Sequence, residues 1–272
     1  MTKRVLSWGL GLQSTMLAVM SAQGELPPLD MIITADLGFE QQATYDVMEF
    51  YTDWLRKRGQ NVVILDAGNI NKQGADEHVH IPFFTETGAP LRRQCTREFK
   101  IRPIRRHIRE WLGYPASKPP HPPANSVEQW IGFTIDEYTR MKTSGVKFIT
   151  NRFPLIEKRI ARSDCPAYFA KNGLPEPTKS ACICCPYRKA SEWLEMKNNT
   201  PGEFDAACKF DERNRDNPLA RRKGSNADKL YIWKGSTPLR IADLPSAASR
   251  ERKQADIQTS MFMPCEYGYC FI

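Results

Sequence analysis

Arg4-Val-Leu-Ser7-Trp-Gly9-Leu-Gly11-Leu-Gln13-Ser14-Thr15 decides the fold. Arg4 to Ser7 predicts a short buried strand. Ser14 to Ser21 predicts a helix with Met16, Leu17 and Met20 on one face. The glycines between them permit a tight turn whose N–H groups point at phosphate oxygens. The helix start behind the turn adds unpaired donors and a positive dipole end. Ser7, Ser14 and Thr15 add hydroxyls. The turn does not end in lysine, so it is not a Walker A loop, and its glycines lack the dinucleotide-binding spacing.

The same alternation continues outward. Met31–Asp36 predicts a second strand, Gln42–Arg58 an amphipathic helix and Asn61–Asp66 a third strand. Glu98–Leu112 predicts a helix, Val127–Phe133 a fourth strand, Ile135–Met141 a short helix and Lys147–Thr150 a fifth strand. Strands alternating with helices predict an α/β fold with a Rossmann-like parallel sheet and helices on both faces. From Pro154 the pattern changes to helices (Cys165–Asn172, Pro186–Lys197, Pro201–Asn214) and cysteine turns. The expected division is therefore a nucleotide-binding domain over 1–155 and a helical, cysteine-rich region over 156–272 that packs on the nucleotide site.

The 272 residues are 41% hydrophobic and 26% charged, an ordinary globular composition. No apolar run is long enough to cross a bilayer, and no signal-peptide pattern follows Met1. A soluble, cytoplasmic protein without membrane contact is expected. The net charge of +8 favours an anionic partner. On the Glu98–Leu112 helix, Ile101, Ile104, Ile108 and Trp111 form an apolar stripe. Arg102, Arg105, Arg106 and Arg109 oppose it as a basic stripe, read as a polyanion-binding face against the alternative of a solvated face.

Eight cysteines in a reducing compartment point to metal or redox chemistry before disulfides. Cys182-x-x-Cys185 followed by Pro186 is a two-thiolate clip, and a metal site needs about four ligands. Further thiols stand at Cys95, Cys265 and Cys270, and soft thiolates suit zinc or iron–sulfur. Cys165, Cys184 and Cys208 are expected to pack as small apolar side chains.

Taken in order, the motifs resemble the PP-loop adenine nucleotide α-hydrolase (HUP-type) superfamily, in its PAPS reductase and DNA phosphorothioation sulfur-transfer branch. The resemblance rests on the Ser7–Thr15 turn, on Asp36-Leu-Gly38-Phe-Glu40 and on Cys95-Thr96…Lys100-Ile-Arg-Pro103. It continues through Gly132-Phe-Thr-Ile-Asp136-Glu137…Arg140, Asn151-Arg-Phe-Pro154 and Cys182-Ile-Cys-Cys185. Trp8 replaces the first loop glycine of the family pattern, and Gln13 stands where many relatives carry Asp. The resemblance implies ATP with its phosphates on Ser7, Gly9, Gly11, Gln13, Ser14 and Thr15, and Gly132 open to the nucleotide. Asp36 would bind magnesium or orient the loop, against a plain helix-capping role. Arg140 and Lys100 would neutralise the leaving pyrophosphate. It also implies a 4Fe-4S cluster, with zinc as the alternative, on Cys95, Cys182, Cys185 and Cys270, the last ahead of Cys265. The implied activity is an ATP pyrophosphatase that adenylates a substrate, expected to be nucleic acid, for sulfur insertion, with a sulfur donor protein such as a cysteine desulfurase. A sulfonucleotide reductase and a non-catalytic nucleotide- or nucleic-acid-binding module are the alternatives.

Overall fold

The computed structural model describes residues 2–73, 80–115, 118–218 and 228–258. In chain order the first elements are β1 (Lys3–Ser7), α1 (Leu12–Ala22), β2 (Met31–Asp36), α2 (Gln42–Arg56), β3 (Val62–Asp66), α3 (Ile70–Gln73) and β4 (Phe84–Thr85). A π-helical turn, Thr96–Ile101, runs into α4 (Arg102–Trp111). Then come β5 (Val127–Trp130), a 3-10 turn (Ile135–Arg140), β6 (Ile149–Arg152), α5 (Pro154–Glu157) and α6 (Asp164–Lys171). The last elements are α7 (Ala190–Asn199), α8 (Pro201–Arg213), β7 (Leu230–Tyr231) and α9 (Leu244–Gln258).

Contact density separates two compact units. The first comprises the described residues of 2–67 and 96–180. Its core is a five-stranded sheet in the order β3-β2-β1-β5-β6, with every neighbouring pair parallel. Alternate side chains leave the sheet on opposite faces. Leu6, Ile32 and Trp130 pack with Met16 and Leu17 of α1 and with Leu155, Cys165 and Phe169. Val5, Ile33, Val127 and Ile149 pack on the other face with Ile104 and Ile108 of α4. The expected α/β fold with helices on both faces is therefore present, and the apolar stripe of α4 is buried as its spacing predicts.

The boundaries differ from expectation in three places. Leu155, Cys165 and Phe169 share one core with α1, so the first unit continues to 180 and does not stop at 155. The helix expected over Glu98–Leu112 is regular only from Arg102. Pro103 sits at its start, where a missing N–H costs nothing. The fourth strand ends at Trp130, three residues before Phe133.

The second unit comprises the described residues of 68–95 and 181–258. Residues 68–95 belong here because they pack non-locally. Phe84 pairs with Tyr231 across an antiparallel ladder, and the Phe83 ring stacks on Phe210 at 5.8 Å. Asp211, fully buried, organises this unit. One carboxylate oxygen accepts from the Ile232 N–H (2.8 Å). The other accepts from the Leu239 N–H (3.0 Å) and pairs with Arg215. Among the described residues no helix is long and apolar enough to cross a membrane.

Because Asp211 satisfies two buried backbone donors and one cation, Asp211→Ala strands all three. The expected loss is roughly 3–5 kcal/mol, the usual cost of breaking a buried pair. Urea unfolding followed by circular dichroism measures it. A loss under about 1 kcal/mol, the scale of an exposed pair, would contradict this role.

Candidate nucleotide site

In the first unit the strand order reverses at β1. The connections through α1 and α2 place β2 and β3 on one side, while β5 and β6 lie on the other. The carboxyl ends of β1 and β5 therefore flank a switch point, where open parallel sheets bind ligands. Ser7 closes β1 there, and Trp8–Gly11 lead into α1.

The turn is held by its own side chains. The Gly9 N–H donates to Ser14 Oγ (3.1 Å), and the Ser14 hydroxyl donates to the Gly11 carbonyl (3.2 Å). Leu10 sits at φ +60°, a left-handed conformation uncommon for a side-chain-bearing residue. Trp8 is fully buried and its indole N–H donates to Thr15 Oγ1 (3.0 Å). Trp8 thus braces the loop from the core, and the Thr15 hydroxyl, expected on phosphate, is held by the indole. The amides of Leu10 and Gly11 donate to no protein atom among the described residues. Gly11 caps α1 without a side-chain bond, and a Cβ built there meets nothing within 4 Å. The helix start therefore faces open space with unspent donors.

Gly132 serves a purpose inside the protein. A Cβ there would lie 2.6 Å from the Ser14 nitrogen and 2.7 Å from its Cα. The glycine lets the first turn of α1 rest directly on the chain leaving β5. That contact is with the helix backbone, whereas the resemblance implies nucleotide at this glycine.

Gln13 is only 3% exposed, and both ends of its amide are engaged. Nε2 donates to Glu137 Oε2 (3.0 Å), and Oε1 accepts from the Arg162 guanidinium (3.0 Å). The other Glu137 oxygen pairs with Arg140, whose guanidinium lies 4.6 Å over the Phe133 ring. Burial pushes the Glu137 carboxyl above its ordinary range, against the pull of Arg140 and Arg162. Gln13 is therefore a bridge between two charged segments. Glu137 and Arg162 escape a sequence reading that follows the loop alone. Glu137 was visible only as part of the Asp-Glu motif, and nothing in the sequence marks Arg162.

Asp36 ends β2. Its Oδ1 accepts from the Gly38 N–H (2.8 Å) and from the Tyr45 hydroxyl (3.1 Å), so it shapes the turn into α2. Burial above all pushes the Tyr45 hydroxyl up to about 12. Lys100 pairs with Glu40 (3.3 Å), their side chains 8% and 3% exposed. Glu40 Oε2 is buried without a hydrogen-bond partner. The Asp36–Glu40 turn and the Cys95…Lys100 motif thus meet through a desolvated ion pair.

The arginine stripe of α4 is not one open face. Arg109 is 8% exposed and holds the proline-rich segment through the Lys118 and Pro120 carbonyls and His121 Nδ1. Arg105 is half-buried and donates to the Ser144 carbonyl. Only Arg102 and Arg106 are exposed, beside Glu98 and Glu110. The periodicity is right, but the loops packed alongside α4 take two of the four.

In the second unit, the Cys182–Cys185 clip is formed. The Cys185 N–H donates to the Cys182 carbonyl (3.2 Å), and the Arg188 guanidinium caps the same carbonyl (3.0 Å). Cys95, Cys182 and Cys185 are half-buried, while Cys165, Cys184 and Cys208 are buried as expected. Among the described residues no three His, Cys, Asp or Glu side chains converge as a metal requires. Cys265 and Cys270 lie outside the described residues. Two thiols on one turn do not by themselves complete a metal centre.

The Gln13 bridge has a measurable consequence. Gln13→Glu sets a second carboxylate against Glu137, and one of the pair then holds a proton more tightly folded than unfolded. The penalty, roughly 1–3 kcal/mol, is full at high pH and fades as pH falls and the pair takes up that proton. Adding Glu137→Gln restores a carboxylate–amide pair with the partners exchanged. Thermal unfolding from pH 5 to 8 checks this, and a Gln13→Glu profile parallel to the parent would overturn the bridge.

No family model and no curated protein matches the chain. Among solved structures it is similar to phosphoadenylyl-sulfate (PAPS) reductase from Candida auris in its phosphate complex. The identity is 11% and the TM-score 0.39, over 65% of this chain and 76% of that one. It is also similar to the U34-tRNA thiolase NcsA from Methanococcus maripaludis with its 4Fe-4S cluster. There the identity is 13% and the TM-score 0.43, over 92% of this chain and 80% of that one.

Proposed function

We propose that the first unit binds ATP and cleaves it between the α- and β-phosphates, passing AMP to an oxygen of a substrate that then accepts sulfur. The observation that carries this reading is the uncapped start of α1 at the switch point, with the Leu10 and Gly11 amides unspent and open space above Gly11. A substrate oxygen attacks the α-phosphorus, and the bond to the bridging oxygen of the β-phosphate breaks. Pyrophosphate leaves with that electron pair. A sulfur nucleophile later displaces the AMP oxygen. Preorganised amides and the positive helix end stabilise charge developing on the phosphate oxygens, which is where such donors contribute most. Arg140 and Lys100 each already face a protein carboxylate, so to neutralise the leaving pyrophosphate each would exchange that partner for phosphate oxygens. Asp36 orients the turn, or meets magnesium arriving with the nucleotide.

In this reading the substrate is nucleic acid, contacted by the exposed Arg102 and Arg106, in a cytoplasmic setting with a sulfur donor such as a cysteine desulfurase. Cys182 and Cys185 supply two ligands to a 4Fe-4S cluster, or to zinc, which Cys95 and Cys270 would complete. When bound, such a cluster supplies an iron that can hold sulfur.

Purified protein with ATP and magnesium is expected to release pyrophosphate and AMP, and Ser14→Phe, which fills the cradle, to abolish both. ADP and phosphate as products would sink the assignment, and sulfite from PAPS would replace it with a reductase. Anaerobically purified protein is expected to contain iron and acid-labile sulfide that Cys182→Ser and Cys185→Ser both remove. Full iron and sulfide in both variants would reject the cluster.

A further inference from the structure

Arg105 lines a cavity. A cleft of about 70 Å³ opens at the carboxyl ends of β1, β5 and β6, bordered by Ser7, Gln129, Thr143 and Asn151, with Ile104 and Ile131 as apolar walls. Ile104 belongs to the core on the α4 face of the sheet, whereas α1 packs on the opposite face. The cleft and the helix start above Gly11 thus lie against different faces of one sheet.

The charge of the cleft is one-sided. Arg105 is its only charged lining residue. The guanidinium donates to the Ser144 carbonyl, and among the described residues no carboxylate pairs with it. A guanidinium carries five donors in a fixed fork, so most of its capacity is unspent. Burial, and secondarily the like charge of Arg97, push the Arg105 pKa down; a bound anion would offset both effects. The neutral rim fits the same partner, since the Ser7 hydroxyl and the Gln129 amide donate to no protein atom among the described residues. Asn151 is fixed by its own bond to the Lys142 carbonyl (2.9 Å). The space admits a small ion.

We propose that this cleft is a second anion site that takes a tetrahedral oxyanion, phosphate or sulfate, either free or as the terminal group of a small molecule, with Arg105 as its charge partner. The Ser7 hydroxyl serves this site and not the phosphate loop. The inference stands apart from the ATP reading, because no nucleotide enters its test.

The test is calorimetric titration of the full chain with inorganic phosphate and with sulfate, at constant ionic strength and without nucleotide. Arg105→Met is expected to weaken phosphate binding roughly tenfold or more, the scale of a charge-assisted hydrogen bond. Arg106→Met, which removes an exposed charge one residue away, is expected to change it less than about twofold, as exposed charges do. Should Arg105→Met fail to fold, Arg105→Lys and Gln129→Leu test the fork and the rim. Each is expected to lower affinity without moving the melting temperature. Phenyl phosphate binding as well as phosphate assigns the site to an organic monoester; its exclusion assigns it to the free ion. Failure of millimolar phosphate to bind the parent, or equal binding by the parent and the Arg105 variants, overturns the proposal.

Discussion

Gln13 answers two opposite charges with one neutral side chain, and the candidate site at the start of α1 is arranged around that requirement. Its amide must donate to Glu137 and accept from Arg162. A carboxylate would serve the arginine and repel the glutamate, and a cation would do the reverse. An amide offers a donor and an acceptor at one position without carrying charge. The amide at position 13 is therefore coupled to Glu137, 124 residues away.

The same economy runs through the loop. Trp8, which looks like damage to a glycine-rich motif, is a fully buried brace on Thr15. Gly132, which looks like an opening for ligand, is closed by the backbone of Ser14. The Ser14 hydroxyl spends itself on Gly9 and Gly11. What these contacts leave unspent is backbone: the Leu10 and Gly11 amides and the first turn of α1. Side chains that would compete for an anion are engaged elsewhere, so a rigid set of main-chain donors is presented without the entropy cost of ordering flexible side chains.

The fold was legible in the sequence wherever its cause is local. Alternation of strand and helix periods located β1, β2, β3, α2 and the buried stripe of α4, because burial on a sheet face writes a period into the chain. The order of strands, and hence the switch point, emerges only in the folded sheet, because connection rules fix the handedness of a crossover and not the side to which it runs. Side-chain partners were not legible, because they depend on register between distant segments. Glu137 and Arg162 reach Gln13 only after β5 has been laid beside β1. Residues 68–95 read as a continuation of the sheet domain, yet Phe83 and Phe84 find their partners at Phe210 and Tyr231, so the chain leaves the first unit and returns.

The four arginines of α4 show why charge pattern alone decides so little. Spacing puts them on one side of a helix, but each guanidinium takes its meaning from its neighbours. Arg102 and Arg106 meet glutamates on their own helix in solvent, where such pairs contribute little. Arg109 is spent on carbonyls of the proline-rich segment, which makes it a staple. Arg105 gains one carbonyl, is half-buried and, among the described residues, pairs with no carboxylate. Desolvating a cation without an opposing charge is costly, and a fold keeps such a group where something else supplies the missing charge. Among these four, the half-buried Arg105, which lines a cleft, thus carries more information about ligands than the two in plain view.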